Sequence, residues 1–354
     1  TRRARCQSAF RSCRMYSAEL LSWERRKVGM NGRIGFCAAA CLFACALTAR
    51  AADIAAAFPN RPVRLVAGST GSTSDLTARF IAQRLAERWG HQVVVDNRSG
   101  AGGIIGGEIA AKSAPDGHTL LVSGINTQVS GPLLIKNIPF DPVRDFTPIS
   151  LLTNSGLVMV VPPAVPADNI KEFIAWAKKK PEGVNYSSAT VGTSSHLTGE
   201  MFAQATGVKL NHVPYKNTGA SLNALFTGEV QAAFLSTTTT SSQVKSGRLK
   251  ALALLSAKRF FATPDIPTSV EQGFPGLESY VWFGLYAPAR TPPALIEKIN
   301  RDVVAILRQP DARDALAAQG AEAVPTTPAE FAAFQKNEIA KWGKVIRDAH
   351  IVID

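Results

Sequence analysis

The chain has 354 residues, 46% of them apolar and 19% charged, with a formal net charge of +12. That mix excludes a disordered or collagen-like chain, and the length suggests about two domains with a core that needs no disulfide or metal staple. Residues 1–51 hold 10 Lys+Arg against 2 Asp+Glu, leaving 29 against 25 in the rest, so the basic excess is no argument for nucleic-acid binding. No basic cluster beyond Lys178-Lys179-Lys180 remains there, and a lysine run at a helix end is a solvated terminus.

All five cysteines (Cys6, Cys13, Cys37, Cys41, Cys45) precede residue 52, so the body has no disulfide, thiolate nucleophile or cysteine metal ligand. The N-terminal part reads as an export signal. Arg33 supplies the positive charge, Ile34 to Leu47 is an apolar stretch too short to span a membrane, and Ala49-Arg50-Ala51 fits a small-x-small cleavage site. Residues 1–29 read as an upstream extension and 30–51 as the signal peptide, with cleavage after Ala51 or Ala52. Leu42-Phe43-Ala44-Cys45 is a poor lipidation box and Arg25-Arg26 a poor twin-arginine match. No later run approaches the length of a membrane span, so a soluble, exported mature protein is expected.

From residue 64 the pattern alternates. Arg64–Ala67 is a strand, and Leu76 to Trp89 a helix with Leu76, Phe80, Ile81, Leu85 and Trp89 on one stripe, started by the Ser72-x-x-Asp75 capping signature. Val93–Val95 is a strand, Ile104–Lys112 a helix and Thr119–Val122 a strand. Strand 157–161, helix 168–180 capped by Asp168, strand 184–187 and helix 195–206 follow. Next come strand 209–213, helix 218–227, strand 230–235, a short helix near 240–246 and strand 250–255. Tyr280–Tyr286 is a last strand, and helices 293–308, 311–318 and 328–348 close the chain. Repeated βα units predict an α/β fold with mainly parallel sheets and helices on both faces.

Little in this chain reads as catalytic. Gly100-Ala-Gly102-Gly103-Ile-Ile-Gly106-Gly107 follows a strand and opens a helix, but G-x-G-x-x-G fails in register at Ile105, so it reads as a tight turn with close backbone packing rather than a dinucleotide site. Ser242-x-x-Lys245 lacks the companion motifs of acyl-enzymes, and the side chains of Ser195 and His196 diverge on a helix. The histidines show no metal spacing, and no cofactor motif is present. Three strand-to-helix loops stand out for their hydroxyls and glycines: Gly68 to Asp75, Ser187 to His196, and Ser236 to Ser242. Loops at the carboxyl ends of strands are where open α/β sheets bind ligands, and free N–H groups, hydroxyls and helix dipoles suit an anion. The alternative for any one loop is ordinary helix capping.

Asn97-Arg98-Ser-Gly-Ala-Gly-Gly-Ile-Ile-Gly106, Pro115-Asp116-Gly117-His118-Thr119-Leu120-Leu121 and His212-Val213-Pro214-Tyr215-Lys216 occur in that order. Pro267-Thr268-x-x-Glu271-x-Gly273, Trp282-Phe283-Gly284-Leu285 and Ala287-Pro288-x-x-Thr291-Pro292 continue the series. Together these resemble the Bug-type solute-binding receptors of tripartite tricarboxylate transporters, from about residue 58 to the end. The resemblance implies a two-lobed periplasmic-binding (Venus flytrap, type II) fold closing on a small carboxylate, with an integral-membrane transporter as partner. The first loop departs from the family pattern P-F-x-P-G-G-x-x-D, keeping only Gly71 and Asp75 of its later positions, and S-A-G-x-G-S becomes Ser188-Ala189-Thr190-Val191-Gly192-Thr193.

The resulting expectation is lobe 1 at 56–153 plus 279–354, lobe 2 at 154–278, and a ligand in the cleft between them. The expected ligand residues are Thr70, Gly71, Ser72, Thr73 and Asp75 in the first loop, Thr190, Gly192, Thr193, Ser194 and Ser195 in the second, and Ser236 and Thr237 in the third. Asp75 is read equally as a ligand contact and as a residue that fixes its loop. The expected protein is a monomeric periplasmic receptor with no metal, cofactor or nucleic acid. The rival is a hydrolase or transferase of acidic metabolites on the same fold, for which the sequence offers no convincing set of catalytic groups.

Overall fold

The computed structural model describes residues 56–352 except Ala262; the expected signal peptide and its cleavage point lie outside the described residues. In chain order the elements are β1 (Val63–Ala67), α1 (Thr73–Trp89), β2 (Val93–Asn97), α2 (Ile104–Ala111) and β3 (Thr119–Gly124). A π turn (Asn126–Ser130), α3 (Gly131–Leu134), β4 (Phe146–Val161), α4 (Ile170–Ala177), β5 (Val184–Ser188), α5 (Ser194–Thr206) and β6 (Leu210–Pro214) follow. The remainder is α6 (Thr218–Thr227), β7 (Ala232–Ser236), α7 (Thr237–Lys245), β8 (Lys250–Leu254), β9 (Tyr280–Pro288), α8 (Pro293–Leu307), α9 (Pro310–Ala318), β10 (Glu322–Ala323) and α10 (Pro328–Asp348).

The strands run in the order β2-β1-β3-β9-β4-β7-β5-β6, with β8 and β10 also paired to β4. Parallel pairing, expected to predominate, holds within each part: β1 with β2 and β3, and β5 with β6 and β7. The strands that join the parts pair antiparallel: β9 with β3 and β4, and β4 with β7 and β8. The sheet is therefore mixed. β4 serves both parts, facing β9 from Phe146 to Gly156 and β7 from Leu157 to Val160.

The expected strand 157–161 is only the end of β4, which begins at Phe146. Its first half escaped detection because Ser150, Thr153, Asn154 and Ser155 break the apolar run. Ser150 and Thr153 are nevertheless buried and bonded at long range: Thr326 N–H donates to Ser150 Oγ at 3.0 Å, and Thr77 and Thr153 hydroxyls meet at 3.4 Å.

α1 starts where its capping signature places it, with Ser72 Oγ accepting from Asp75 N–H. Its buried face differs from the expected stripe: Thr77, Ala78, Ile81, Ala82 and Leu85 face inward, while Leu76 is 49% exposed. Small alanines let the helix lie close to the sheet, so the face is set by fit rather than by the largest apolar residues. α4 is capped by Asn169, not Asp168, because Asn169 Oδ1 accepts the Glu172 N–H; Asp168 instead pairs with Lys250 at 2.8 Å. The main core runs through both parts of the sheet, from Phe140, Phe146 and Tyr286 to Phe173, Phe202 and Phe234.

Candidate functional site

A cavity of about 390 Å³ lies at the carboxyl ends of β1, β3, β7 and the turn before α5, floored by β9. Among the described residues, Arg98 is the one charged residue that lines it, and no aspartate or glutamate does. Helix starts surround it: Ser72–Ser74 of α1, Gly100–Gly103 before α2, Asn126 and Thr127 of the π turn, Thr193–Ser195 of α5, Thr218 of α6, and Ser236 and Thr239 at α7.

Capping chemistry distinguishes two of these helix starts. Asn169 and Thr327, remote from the cavity, accept hydrogen bonds from their own first helical turns. Thr193 and Ser236 occupy the same cap position at α5 and α7 but make no such bond. Thr193 Oγ1 donates instead to Thr190 C=O at 2.8 Å, and Ser236 Oγ bonds the hydroxyls of Thr238 and Thr239 at 2.6 and 3.0 Å. The first-turn N–H groups are thereby left without a side-chain acceptor, and the positive end of each dipole is open to an anion.

Asp75 is almost completely buried and its carboxylate is fully engaged. It accepts from Gly71 N–H at 2.8 Å and Asn97 Nδ2 at 2.9 Å, and it pairs with Arg79 at 2.9 Å. Burial opposes its ionisation, but the bonds from Gly71, Asn97 and Arg79 outweigh it and hold the pKa below the usual aspartate value. Of its two expected roles, this geometry supports fixing the loop, with Gly71 in the left-handed conformation at φ +77°.

Of the other expected residues, Ser72, Thr73, Thr193, Ser194, Ser195 and Ser236 come together around the cavity. The Ser195 hydroxyl is already committed to Phe234 C=O, leaving its backbone as the group available to a ligand. Thr70, Gly71, Asp75, Thr190, Gly192 and Thr237 stand behind or beside the lining. Thr70 and Thr190 are exposed, and Thr237 is buried with its hydroxyl donated to Gly320 C=O at 2.6 Å.

Arg98 was not among the expected ligand residues. Its Nε donates to Asp96 at 3.0 Å, and Asp96 also pairs with Arg64. Burial works against the Asp96 carboxylate, but the two guanidinium groups hold its pKa below the ordinary value. The glycine run supplies a second missed wall. Gly100, Gly102 and Gly103 all have positive φ, and a Cβ on Gly103 would stand 2.4 Å from Thr127 Oγ1. The close packing read from the sequence is therefore real, and it also brings the loop backbone to the cavity. Phe283 and Val281, two apart on β9, add an apolar floor; Phe283 packs over Gly124, where a Cβ would meet its ring at 3.1 Å. Among the described residues no cluster of His, Cys, Asp and Glu could hold a metal ion, and no helix is long and apolar enough to cross a membrane.

The chain resembles known proteins over most of its length. The model of the tripartite tricarboxylate transporter family receptor (TctC) matches residues 77–351. Protein BugT of Bordetella pertussis is 36% identical over 293 residues, covering 82% of this chain and 90% of the relative. Among solved structures, R. palustris Rpa4515 with adipate is 32% identical with a TM-score of 0.75, covering 83% of this chain and 99% of that one. MatC (Rpa3494) from Rhodopseudomonas palustris with bound malate is 31% identical with a TM-score of 0.70, covering 82% and 100%. The periplasmic binding protein BugD is 33% identical with a TM-score of 0.70, covering 83% and 99%. The family is one of solute-binding receptors rather than enzymes, and its α/β periplasmic-binding fold is the one that the resemblance implies. The chain belongs to the receptors of the tripartite tricarboxylate transporter family.

Proposed function

We propose that this chain captures a small organic anion, a di- or tricarboxylate or a related carboxylate, and delivers it to the integral-membrane subunits of a tripartite transporter. The observation that carries the reading is the lining itself: among the described residues Arg98 is the one charged residue in it, no aspartate or glutamate lines it, and several helix starts face it. An exposed dipole end favours an anion by roughly 0.3–1 kcal/mol, and each charge-assisted hydrogen bond adds about 1.5–3 kcal/mol. Bound adipate and malate in two structural relatives support a carboxylate as the ligand class.

In this reading 56–153 plus 279–354 and 154–278 act as two lobes that close on the ligand, with β4 and the entry to β9 as the hinge. Thr193–Ser195 and Ser236 hold the ligand from one lobe, and Ser72, Thr73 and Arg98 from the other, with Thr70, Gly71, Asp75, Thr190, Gly192 and Thr237 shaping the loops. The signal directs export and is removed near Ala51, and the mature receptor works in the periplasm as a monomer. Native mass spectrometry of protein released from the periplasm tests this: a monomer carrying a small acid is expected. Arg98→Ala should weaken carboxylate binding by roughly 10- to 100-fold, the equivalent of one charge-assisted bond. Turnover of a bound acid, with no retained ligand, would favour the enzyme reading instead.

A further inference from the structure

We propose that His196 and His212 are positioning residues, a stacked pair of Nε2–H tautomers that holds the 188–195 loop so that the start of α5 stays open to the ligand. This rests on the reading of the cavity as an anion site. His196 lies in the first turn of α5, and His212 lies on β6, next to the parent strand β5. Their rings stack at 3.8 Å between centroids and 15° between planes.

The hydrogen bonds assign both tautomers. Gly192 N–H donates to His196 Nδ1 at 3.0 Å, so that nitrogen carries a lone pair and the proton sits on Nε2. His212 Nε2 lies 2.6 Å from Ser188 Oγ. The single hydroxyl proton of Ser188 is given to Thr190 C=O at 2.9 Å, so Ser188 Oγ must accept from His212 Nε2–H. The Thr190 carbonyl is thus fixed, and it takes the Thr193 hydroxyl away from the cap position. Two relays converge: His212 through Ser188 and Thr190 to Thr193, and His196 directly to Gly192. Both leave the first-turn N–H groups of α5 uncapped and facing the cavity.

One carboxylate faces the pair and favours a charged ring, but burial outweighs it. His196 Nε2 faces Glu200 Oε1 at 3.8 Å, and that oxygen accepts the Tyr186 hydroxyl at 2.7 Å. Tyr186 also lies 5.0 Å from the His212 ring. Burial, with the neighbouring His212 adding to it, lowers the His196 pKa to about 3, and burial lowers His212 to about 4. A proton on His196 Nδ1 would expel the Gly192 N–H and set a charge against the stacked ring.

Calorimetry with succinate, malate and adipate, paired with long-range ¹H–¹⁵N NMR of the imidazoles at pH 7, tests the proposal. His196→Asn keeps an acceptor where Nδ1 stood, and His212→Gln keeps a donor where Nε2 stood; both should bind within about threefold of wild type. His196→Phe and His212→Phe keep a ring but lose the bond; both should bind at least tenfold more weakly while melting within a few degrees of wild type. NMR should show Nε2–H on both rings. An Nδ1–H tautomer on either ring, or wild-type affinity in both phenylalanine variants, would overturn the proposal. If wild-type protein binds none of the acids, the anion-receptor reading fails, and the tautomers together with amide exchange at 193–196 in the phenylalanine variants decide the positioning claim. Unchanged exchange there would refute it, and faster exchange would support it.

Discussion

Gly199 on α5 lies flat against the Tyr186 ring of β5: a β-carbon at 199 would stand 2.1 Å from Tyr186 Cε2. That contact lets the tyrosine reach over the helix to donate to Glu200 and places its ring beside His212. Gly199→Ala must therefore displace a fully buried ring. Overpacking of this kind costs about 1–3 kcal/mol. The variant should melt several degrees lower and bind a carboxylate more weakly, and differential scanning calorimetry with and without the acid checks both effects.

Asp75 ties Gly71, Asn97 and Arg79 to one buried carboxylate. Its folded pKa lies below the ordinary 3.8, so its contribution to stability is present above that value and lost as pH falls through the lowered folded value. Asp75→Asn replaces an acceptor facing Gly71 N–H with a poorer one and should destabilise by about 1–3 kcal/mol at pH 7. Its stability should also fall less steeply than that of wild type as pH drops below about 4. Urea midpoints measured from pH 7 down to pH 2 make the comparison.

The buried histidines act in a different pH window. With folded values of about 3 for His196 and about 4 for His212 against 6.5 unfolded, the unfolded chain binds more protons between those limits. Stability must then decline as pH falls from about 6.5 towards 4, by of order 1–2 kcal/mol per histidine at pH 5. The His196→Asn, His212→Gln double variant should show a flatter dependence between pH 7 and 5 by chemical denaturation.

The alternation of strands and helices was legible because short apolar runs such as β1 and longer amphipathic stretches such as α8 alternate along the chain. The hydroxyl-rich starts of α1, α5 and α7 were legible as candidate ligand loops because a cap position is a local feature. Three things were not. The first half of β4 hid behind polar residues whose partners, Thr326 for Ser150 and Thr77 for Thr153, are distant in sequence. Arg98 and the glycine loop face the cavity only because β2 lies parallel to β1, which sets Asn97 beside Ala67. The stack of His196 on His212 depends on β5 pairing in register with β6, placing Tyr186 opposite His212, and no spacing rule encodes that.

Glu338 holds two indoles at once, accepting from Trp282 Nε1 and Trp342 Nε1, each at 2.9 Å. It is 7% exposed and fastens α10 to β9, the strand that floors the cavity. Glu338→Ala would leave two buried N–H donors without a partner, a cost of about 2–5 kcal/mol. Glu338→Gln retains a carbonyl acceptor and should lose clearly less. Thermal unfolding of the two variants side by side separates them.

The central claim, that this cavity receives a carboxylate through helix starts and Arg98, is tested most directly by calorimetric titration of matched acid and amide ligands. The dicarboxylate that binds best among succinate, malate and adipate would be compared with its diamide at pH 7. The account predicts at least tenfold weaker binding of the amide, a gap of about 1.4 kcal/mol or more. Equal affinity for acid and amide would contradict it.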